Sequence, residues 1–508
     1  MTTIRRISYC LLTSLLFAAS AFAQTINPTA VDAIVQDAMK AWNVPGASVA
    51  IIRGNEVLYV KGYGVKDIKT QQPVTPDTIF AIGSTSKAFT TTAMAMLADE
   101  GKMNWDDPVR KHIPWFRLSD PAANENVTMR DIVCHRTGLS RNDLLWYASP
   151  WNREEIIRKV GFVKLTQPYR AVYQYQNIMF LTAGFAVGQI TKSSWEDFVQ
   201  RRIFDPLGMK TANFSAPVAE KAADHATPHR KNKDNQIETM PWRNIDNVGP
   251  AGSINASARD LSNWVRMQLG KGMFEGKRLV SEKNLVETHS PQMVIQMNEL
   301  ARAHNPETNL MSYGLAWTVQ DYRGQLLVSH GGAIDGFRAR VALLPKQNLG
   351  FVLLINSDLT PMLSASTNGL ADLLLGAPKK DWVAHFTDVE KKTAAETKQG
   401  LAEREAKRFK DTKPSRDLAV YSGTYEDPAY GTAKVTLENG ALALAWSSFK
   451  VKLEHFHFDT FVVREDRLEN EQISFTLGAD GEVTTMKLLD VEFKKAKPAA
   501  KATAGGGN

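Results

Sequence analysis

Strand-forming segments at two distant places in the chain, with a long helix-rich stretch between them, constrain the fold more than any single motif. Short apolar runs at residues 47–52 and 57–63 flank Arg53-Gly54-Asn55-Glu56, the pattern of a hairpin. Comparable runs return at residues 326–329, 338–344 and 351–355. A helical period precedes the first strand over residues 30–42, and residues 88–100, rich in Ala and Met, form an apolar helix stopped by Gly101. From residue 130 to residue 270 helical patterns alternate with Gly/Pro/Asn loops, and Ser257-Ala258-Arg259-Asp260 opens another helix with a capping-type start. If the first and last strands share one sheet, the class is α+β, an antiparallel sheet with a helical domain.

The pattern changes after Leu375-Gly376-Ala377-Pro378. Residues 389–410 are charged and helical without a wide apolar face, which reads as a connecting arm. From Leu418 short alternating runs appear, broken by Asn439-Gly440 and Asp480-Gly481 turns, as in a small all-β domain. The expected layout is a leader over 1–23, a first domain over 24–378, a charged helical linker over 379–413, the β-domain over 414–493 and a disordered tail over 494–508.

At 508 residues, 43% hydrophobic and 23% charged, the chain is too long for one ordinary core. Its formal charge of +7 owes four lysines to the closing Ala/Lys/Gly segment (Lys494, Lys495, Lys497 and Lys501), so no nucleic-acid partner is implied. Arg5-Arg6, an apolar run over 7–17 and Ala21-Phe22-Ala23 before Gln24 form a secretory signal peptide cut after Ala23, and the protein is expected to be secreted or periplasmic. Tyr9 is bulky where lipidation at Cys10 would need a small residue. With the leader removed, Cys134 remains as the single cysteine, so no intramolecular disulfide and no thiolate zinc site are expected, and Cys134 reads as a buried small hydrophobe. No window after residue 24 is apolar over the roughly twenty residues a membrane span needs.

Ser84-Thr85-Ser86-Lys87 precedes the Ala/Met-rich helix, which places Ser84 at a helix N-terminus with Lys87 one turn on and facing the same way. A helix N-terminus stabilises negative charge on the serine or the acyl oxygen, and a buried lysine beside other positive potential sheds its proton. Taken alone, these four residues also fit an N-cap serine beside a solvated lysine. Tyr175-Gln176-Asn177 adds a phenol that can shuttle a proton for the serine and an amide that can accept from Lys87 and donate to a substrate carbonyl. His330-Gly331-Gly332-Ala333 lies on a strand whose glycines let a ligand approach the backbone. Its Ala333 N–H can complete an oxyanion hole with that of Ser84, with His330 and Gly332 as further substrate-binding positions.

With these motifs, together with His135-Arg136-Thr137-Gly138-Leu139 and Gly252-Ser253-Ile254-Asn255, residues 27–378 resemble the class C serine β-lactamases and their relatives, the penicillin-binding DD-peptidases, D-amino-acid peptidases and esterases of that fold. The resemblance implies a β-lactamase/transpeptidase-like fold in which Ser84 is acylated, Lys87 and Tyr175 handle its proton, Asn177 helps seat the substrate and Ala333 shares the oxyanion hole. It implies no cofactor. One departure bears on substrate: His330-Gly331-Gly332 stands where efficient β-lactamases of this type carry Lys-Thr-Gly, and a mostly neutral histidine offers little to a substrate carboxylate. The segment opening Leu418-Ala419-Val420-Tyr421-Ser422-Gly423-Thr424-Tyr425 resembles a small β-barrel domain appended to such hydrolases. Its role stays open between a contribution to the active-site mouth, oligomerisation and spacing.

The expected function is a secreted serine hydrolase that cleaves an ester or amide bond of a small-molecule or peptide substrate through an acyl-enzyme on Ser84. A β-lactamase or DD-peptidase is the alternative within enzymes. A catalytically silent binder of peptide or cell-wall fragments is the alternative outside them, against which the presence of Ser84, Lys87 and Tyr175 together argues. His225 and His229 are spaced like a ligand pair, but Pro228 interrupts any helix that would align them, so they are expected on a surface loop with no metal site. Trp146, Tyr147 and Trp242 lie in loops that could roof a pocket shaped by segments 140–170 and 220–250.

Overall fold

The computed structural model describes residues 26–358, 360–465 and 468–497. The leader over 1–23, with Cys10 and the cut after Ala23, lies outside the described residues, as does the tail from residue 498.

The two strand-forming ends do share one sheet. Strands β1 (Gly46–Arg53) and β2 (Glu56–Gly64) join β3 (Met293–Val294), β4 (Met311–Tyr313), β5 (Thr318–Tyr322), β6 (Gln325–Ile334), β7 (Phe337–Leu344) and β8 (Leu349–Ile355) in the order β2-β1-β8-β7-β6-β5-β4-β3. All named pairings are antiparallel, and β1 meets β8 with Ala47 opposite Ile355. The seven residues of β8 are all buried, because both faces of the sheet are covered. Val49, Ile51, Leu353 and Ile355 pack against helices α1 (Pro28–Trp42) and α5 (Met362–Leu375), while Ala50, Ile52, Val352 and Leu354 face the helical domain.

That domain is built around α2 (Ser86–Asp99), which is buried from Ser86 to Leu97, so it has no solvent face. Around it lie α3 (Asn177–Thr191) and α4 (Ala258–Leu269), with Phe89 of α2 stacked on Trp264 of α4 at 3.8 Å between ring centroids. Cys134 is fully buried and unpaired.

The connecting arm is a 25-residue helix, α6 (Trp382–Ala406), which buries only Trp382 and Phe386. The Trp382 indole donates to Asp372 of α5 at 2.8 Å, and near the far end Glu405 pairs with Arg464 of the β-domain at 2.9 Å. Eight strands then close a barrel: β9 (Gly423–Asp427), β10 (Gly431–Glu438), β11 (Ala441–Trp446), β12 (Phe449–His457), β13 (Thr460–Val462), β14 (Gln472–Leu477), β15 (Val483–Leu488) and β16 (Val491–Lys495). Asn439-Gly440, both at positive φ, make the two-residue turn between β10 and β11. Tyr425, Trp446, Phe475, Met486 and Phe493 are buried within it, so the barrel is a packed core. The tail begins later than expected. Lys494 and Lys495 belong to β16, where they pair with Glu426 and Tyr425 and close the barrel. Among the described residues no helix is long and apolar enough to cross a membrane.

Candidate active site

Gly83, at φ +52°, opens a single 3-10 turn (Gly83–Thr85) that runs directly into α2. The Ser86 hydroxyl locks the turn by donating to the Gly83 carbonyl at 2.7 Å and accepting the Ile254 N–H at 3.1 Å. As a first-turn amide, the Ser84 N–H has no intrahelical acceptor. The turn packs backbone to backbone against β6: a Cβ on Gly332 would lie 1.8 Å from the Ile82 carbonyl oxygen, and one on Gly83 would lie 2.6 Å from the Ala333 nitrogen. Glycine is required at both places. The β6–β7 hairpin turns at Asp335-Gly336, with Ile334 opposite Phe337 and Ala333 opposite Arg338. Counting back from the turn, Ala333 occupies a position whose N–H points away from β7. On its other side β5 has already ended, at Thr318 opposite Ser329. Ala333 N–H and Ser84 N–H therefore face the same opening.

Lys87 is fully buried, and its Nζ lies 2.9 Å from Ser84 Oγ, 2.7 Å from Asn177 Oδ1 and 2.8 Å from the Ala251 carbonyl oxygen. Two of these neighbours only accept. A neutral amine with two N–H bonds and one lone pair satisfies all three, with the lone pair left for the serine proton. Burial holds the Lys87 ammonium well below its ordinary value, and the Arg141 charge pushes the same way. Burial raises the Tyr175 phenol, while the Ser84 hydroxyl, as its hydrogen-bond partner, and Arg141 draw it back. Lys87 Nζ also lies 4.9 Å from the centroid of the Tyr175 ring.

Asn177 opens α3 and is fixed at both ends of its amide. Its Oδ1 accepts from Lys87, and its Nδ2 donates to Asp143 at 2.9 Å, leaving one N–H for a ligand. Asp143 also accepts from the Trp146 indole at 2.8 Å and from Arg141 Nε at 2.7 Å. The Arg141 guanidinium lies 4.9 Å from the Tyr175 ring centroid. Behind Tyr175, His135 at φ +61° accepts the Gln176 N–H at 3.0 Å through Nδ1, and its carbonyl accepts the Gln174 N–H at 2.8 Å. His135 thereby pins the segment that carries Tyr175.

His330 is buried and has both ring nitrogens occupied. The Gly331 carbonyl, 2.7 Å from Nδ1, can only accept, which assigns the proton to Nδ1, and Nε2 then accepts from the Tyr313 hydroxyl at 2.9 Å. Burial, with Lys87 nearby, lowers its pKa to about 3. His330 thus bonds to Tyr313, and its ring carries no charge.

One cavity of about 780 Å³ is lined by Ser84, Tyr175, Asn177, His330, Gly332 and Ala333, with Lys87 directly behind Ser84. Trp146 and Tyr147 also line it, whereas Trp242 packs 4.6 Å from the Phe337 ring and takes no part in the wall. His229, expected on a surface loop, is buried, with the Asn356 carbonyl 3.0 Å from Nδ1 and the Ile68 N–H donating to Nε2 at 3.3 Å. Among the described residues no three His, Cys, Asp or Glu side chains are grouped to hold a metal ion. Arg141, Asp143 and Tyr313 were not legible as site residues. Nothing in their spacing marks them, and they reach the site only because the loop after Gly138 and strand β4 fold back onto it.

A serine and a lysine one helical turn apart, packed against a glycine-bearing strand of this sheet, define an active-site-serine hydrolase. The chain belongs to the beta-lactamase family, whose model matches residues 31–375, and a model described as a domain of unknown function (DUF3471) matches residues 407–500. Unguisins hydrolase ungD′ of Aspergillus campestris is 28% identical over 421 residues, covering 78% of this chain and 75% of that protein. The octameric penicillin-binding protein homologue from Pyrococcus abyssi superposes with a TM-score of 0.60 at 20% identity, over 91% of this chain and 98% of its own. The D-amino acid amidase from Ochrobactrum anthropi SV3 gives 0.57 at 21% identity, over 68% of this chain and 97% of that one.

Proposed function

We propose that this chain is an exported hydrolase that cleaves an ester or amide bond through an acyl-enzyme on Ser84. The observation that carries the reading is the Lys87 environment, in which two acceptors take both N–H bonds of a neutral amine and the third neighbour is Ser84 Oγ at 2.9 Å. Lys87 takes the serine proton as Ser84 attacks the acyl carbonyl. The Ser84 and Ala333 N–H groups hold the oxyanion, and Tyr175, which keeps its proton at rest, relays it to the leaving group. Asn177 holds Lys87 in place and turns its remaining N–H to the substrate. Water then releases the acyl group by the reverse path. The relatives named for hydrolysis of unguisins and of D-amino acid amides are consistent with amide chemistry. Export is supported by Arg5-Arg6, the apolar run that follows and Ala21-Phe22-Ala23.

Intact-mass analysis after incubation with a fluorophosphonate, with penicillin, and with panels of p-nitrophenyl esters and D-amino-acid amides tests the reading. A single adduct, absent in Ser84→Ala, with turnover lowered more than about a thousandfold in that variant, is the expected result. An adduct that persists in Ser84→Ala would sink it. For export, the secreted or periplasmic protein should begin at Gln24.

A further inference from the structure

The catalytic cavity is not closed by the hydrolase domain alone. Phe449, Leu468, Glu471 and Leu489 line it as well, and all four come from the C-terminal barrel. Contacts with the loops that shape the cavity hold the barrel there. Tyr430 Oη donates to Asn142 Oδ1 at 2.8 Å, Ser447 Oγ donates to the Ala148 carbonyl at 2.8 Å, and Lys233 pairs with Glu469 at 3.2 Å. Gly431 sits so close to Trp151 that a Cβ there would come within 2.9 Å of the indole. The barrel thus meets the loops around residues 142–151 on one side and the segment at residue 233 on the other.

The charges in the cavity are unevenly matched. Arg141 is paired with Asp143, Asp335 with Arg243 and Arg338 with Asp358. Lys87 sits behind Ser84, held by its three neighbours, and His330 is uncharged. Glu471 differs. Among the described residues no cation lies within ion-pair distance of it; burial raises its carboxyl and the Arg404 charge draws it back, although Arg404 gives one N–H to the Asn470 carbonyl at 2.7 Å and leaves its other guanidinium nitrogens without a hydrogen-bond partner.

We propose that the barrel completes the substrate pocket and that Glu471 selects acyl substrates carrying an ammonium group over those carrying a carboxylate. The proposal rests on the acyl-enzyme reading of Ser84 and adds the charge class of the substrate to it. An ammonium entering the cavity finds a counter-ion. A carboxylate meets a like charge and finds the lining cations among the described residues, Arg141 and Arg338, already paired, and the position where a lysine would attract it holds neutral His330. Phe449, Leu468 and Leu489 give the apolar part of the same substrate a surface to pack on.

The full chain, Glu471→Gln and Glu471→Lys are compared on p-nitrophenyl esters of equal length ending in an ammonium, a methyl or a carboxylate: the 6-aminohexanoyl, heptanoyl and adipoyl esters. In the original chain kcat/KM is expected to be at least about tenfold higher for the ammonium ester than for the carboxylate ester, a difference of about 1.4 kcal/mol carried by KM. Glu471→Gln should compress that ratio and Glu471→Lys reverse it, and a single fluorophosphonate adduct on Ser84 in each variant shows that the serine remains reactive. Equal rates for the two charged esters in the original chain overturn the proposal, as does a ratio unmoved in Glu471→Gln. Absence of any Ser84 adduct in the original chain would instead overturn the acyl-enzyme reading, so the two failures are distinguishable.

Discussion

In the proposed mechanism Lys87 acts as a base only when neutral, so the groups that set its proton affinity would set the pH at which the protein becomes active. Burial and the Arg141 charge lower its pKa from the ordinary 10.5, and the Asp143 charge raises it. Activity on an uncharged ester should therefore rise with pH along an acid limb that tracks the folded-state Lys87 value. Arg141→Gln removes a lowering influence and should move that limb to higher pH, whereas Arg141→Lys keeps the charge and should restore it. Asp143→Asn removes the raising influence and should move the limb to lower pH. It should also reduce kcat at every pH, because the amide leaves one acceptor oxygen for the three donors that Asp143 receives, Asn177 Nδ2, the Trp146 indole and Arg141 Nε. Opposite movements in a profile of kcat/KM against pH would tie both residues to Lys87, and limbs that stay put would leave them only structural. Removing the proposed proton carriers, by Lys87→Ala or Tyr175→Phe, should lower kcat/KM by about 10²–10⁴-fold with the fold intact.

At the scale of elements, the proposed oxyanion site is a meeting of β6 with the turn before α2, and Gly332 sets how closely they approach. Gly332→Ala places a Cβ 1.8 Å from the Ile82 carbonyl oxygen, backbone that cannot move without carrying Ser84 along. The strand must retreat, and Ala333 N–H with it. A kcat loss of about a hundredfold or more is expected, as for removal of an oxyanion donor, with a smaller change in KM. Near-normal kcat in this variant would show that Ala333 N–H is not a donor to the reaction. The parts of the site that the sequence made legible are those set by local spacing. Ser84 and Lys87 share a helical turn, Tyr175 and Asn177 flank one residue, and Gly332 and Ala333 follow His330 on one strand. The apolar runs that became β1, β7 and β8 were readable because both faces of the sheet are buried there, whereas β2, an edge strand with only Tyr63 buried, was readable from the hairpin turn before it. Strands β3, β4 and β5 were not. They are short, partly exposed and polar at Ser312, Thr318 and Gln320, so their strand state comes from pairing with neighbours and not from their own pattern. His229 was misread for the same reason, since only its packing against the Asn356 carbonyl and the Ile68 N–H buries it.

Across the whole molecule, buried groups couple stability to pH, and the shared cavity couples the two domains. His330 is neutral when folded with a pKa of about 3, against an ordinary 6.5, and burial lowers His135 in the same direction. Below 6.5 the unfolded chain takes up protons that the folded chain refuses, so the stability these groups allow is whole above 6.5 and declines as pH falls toward about 3. Asp131, held at about 2 despite its burial by Arg170, Tyr169 and Arg136, adds its own loss only below the carboxylate value of 3.8. Melting temperature should accordingly begin to drop near pH 6, and His330→Gln should flatten the upper part of that drop. The coupling of the domains gives a sharper expectation. Barrel and hydrolase domain belong to one continuous apolar cluster and both wall the cavity that holds Ser84. A ligand bound to the native state alone stabilises every part it touches. A phosphonate on Ser84 with a long aminoalkyl chain extends into the cavity that Phe449 and Glu471 also line, whereas a methyl phosphonate on the same serine fills only its immediate surroundings. The long adduct should slow hydrogen exchange in β12 and β14 as well as in β6, and the short one should protect β6 alone. If both adducts leave the barrel amides unchanged, the barrel is a neighbour of the substrate and not part of its site.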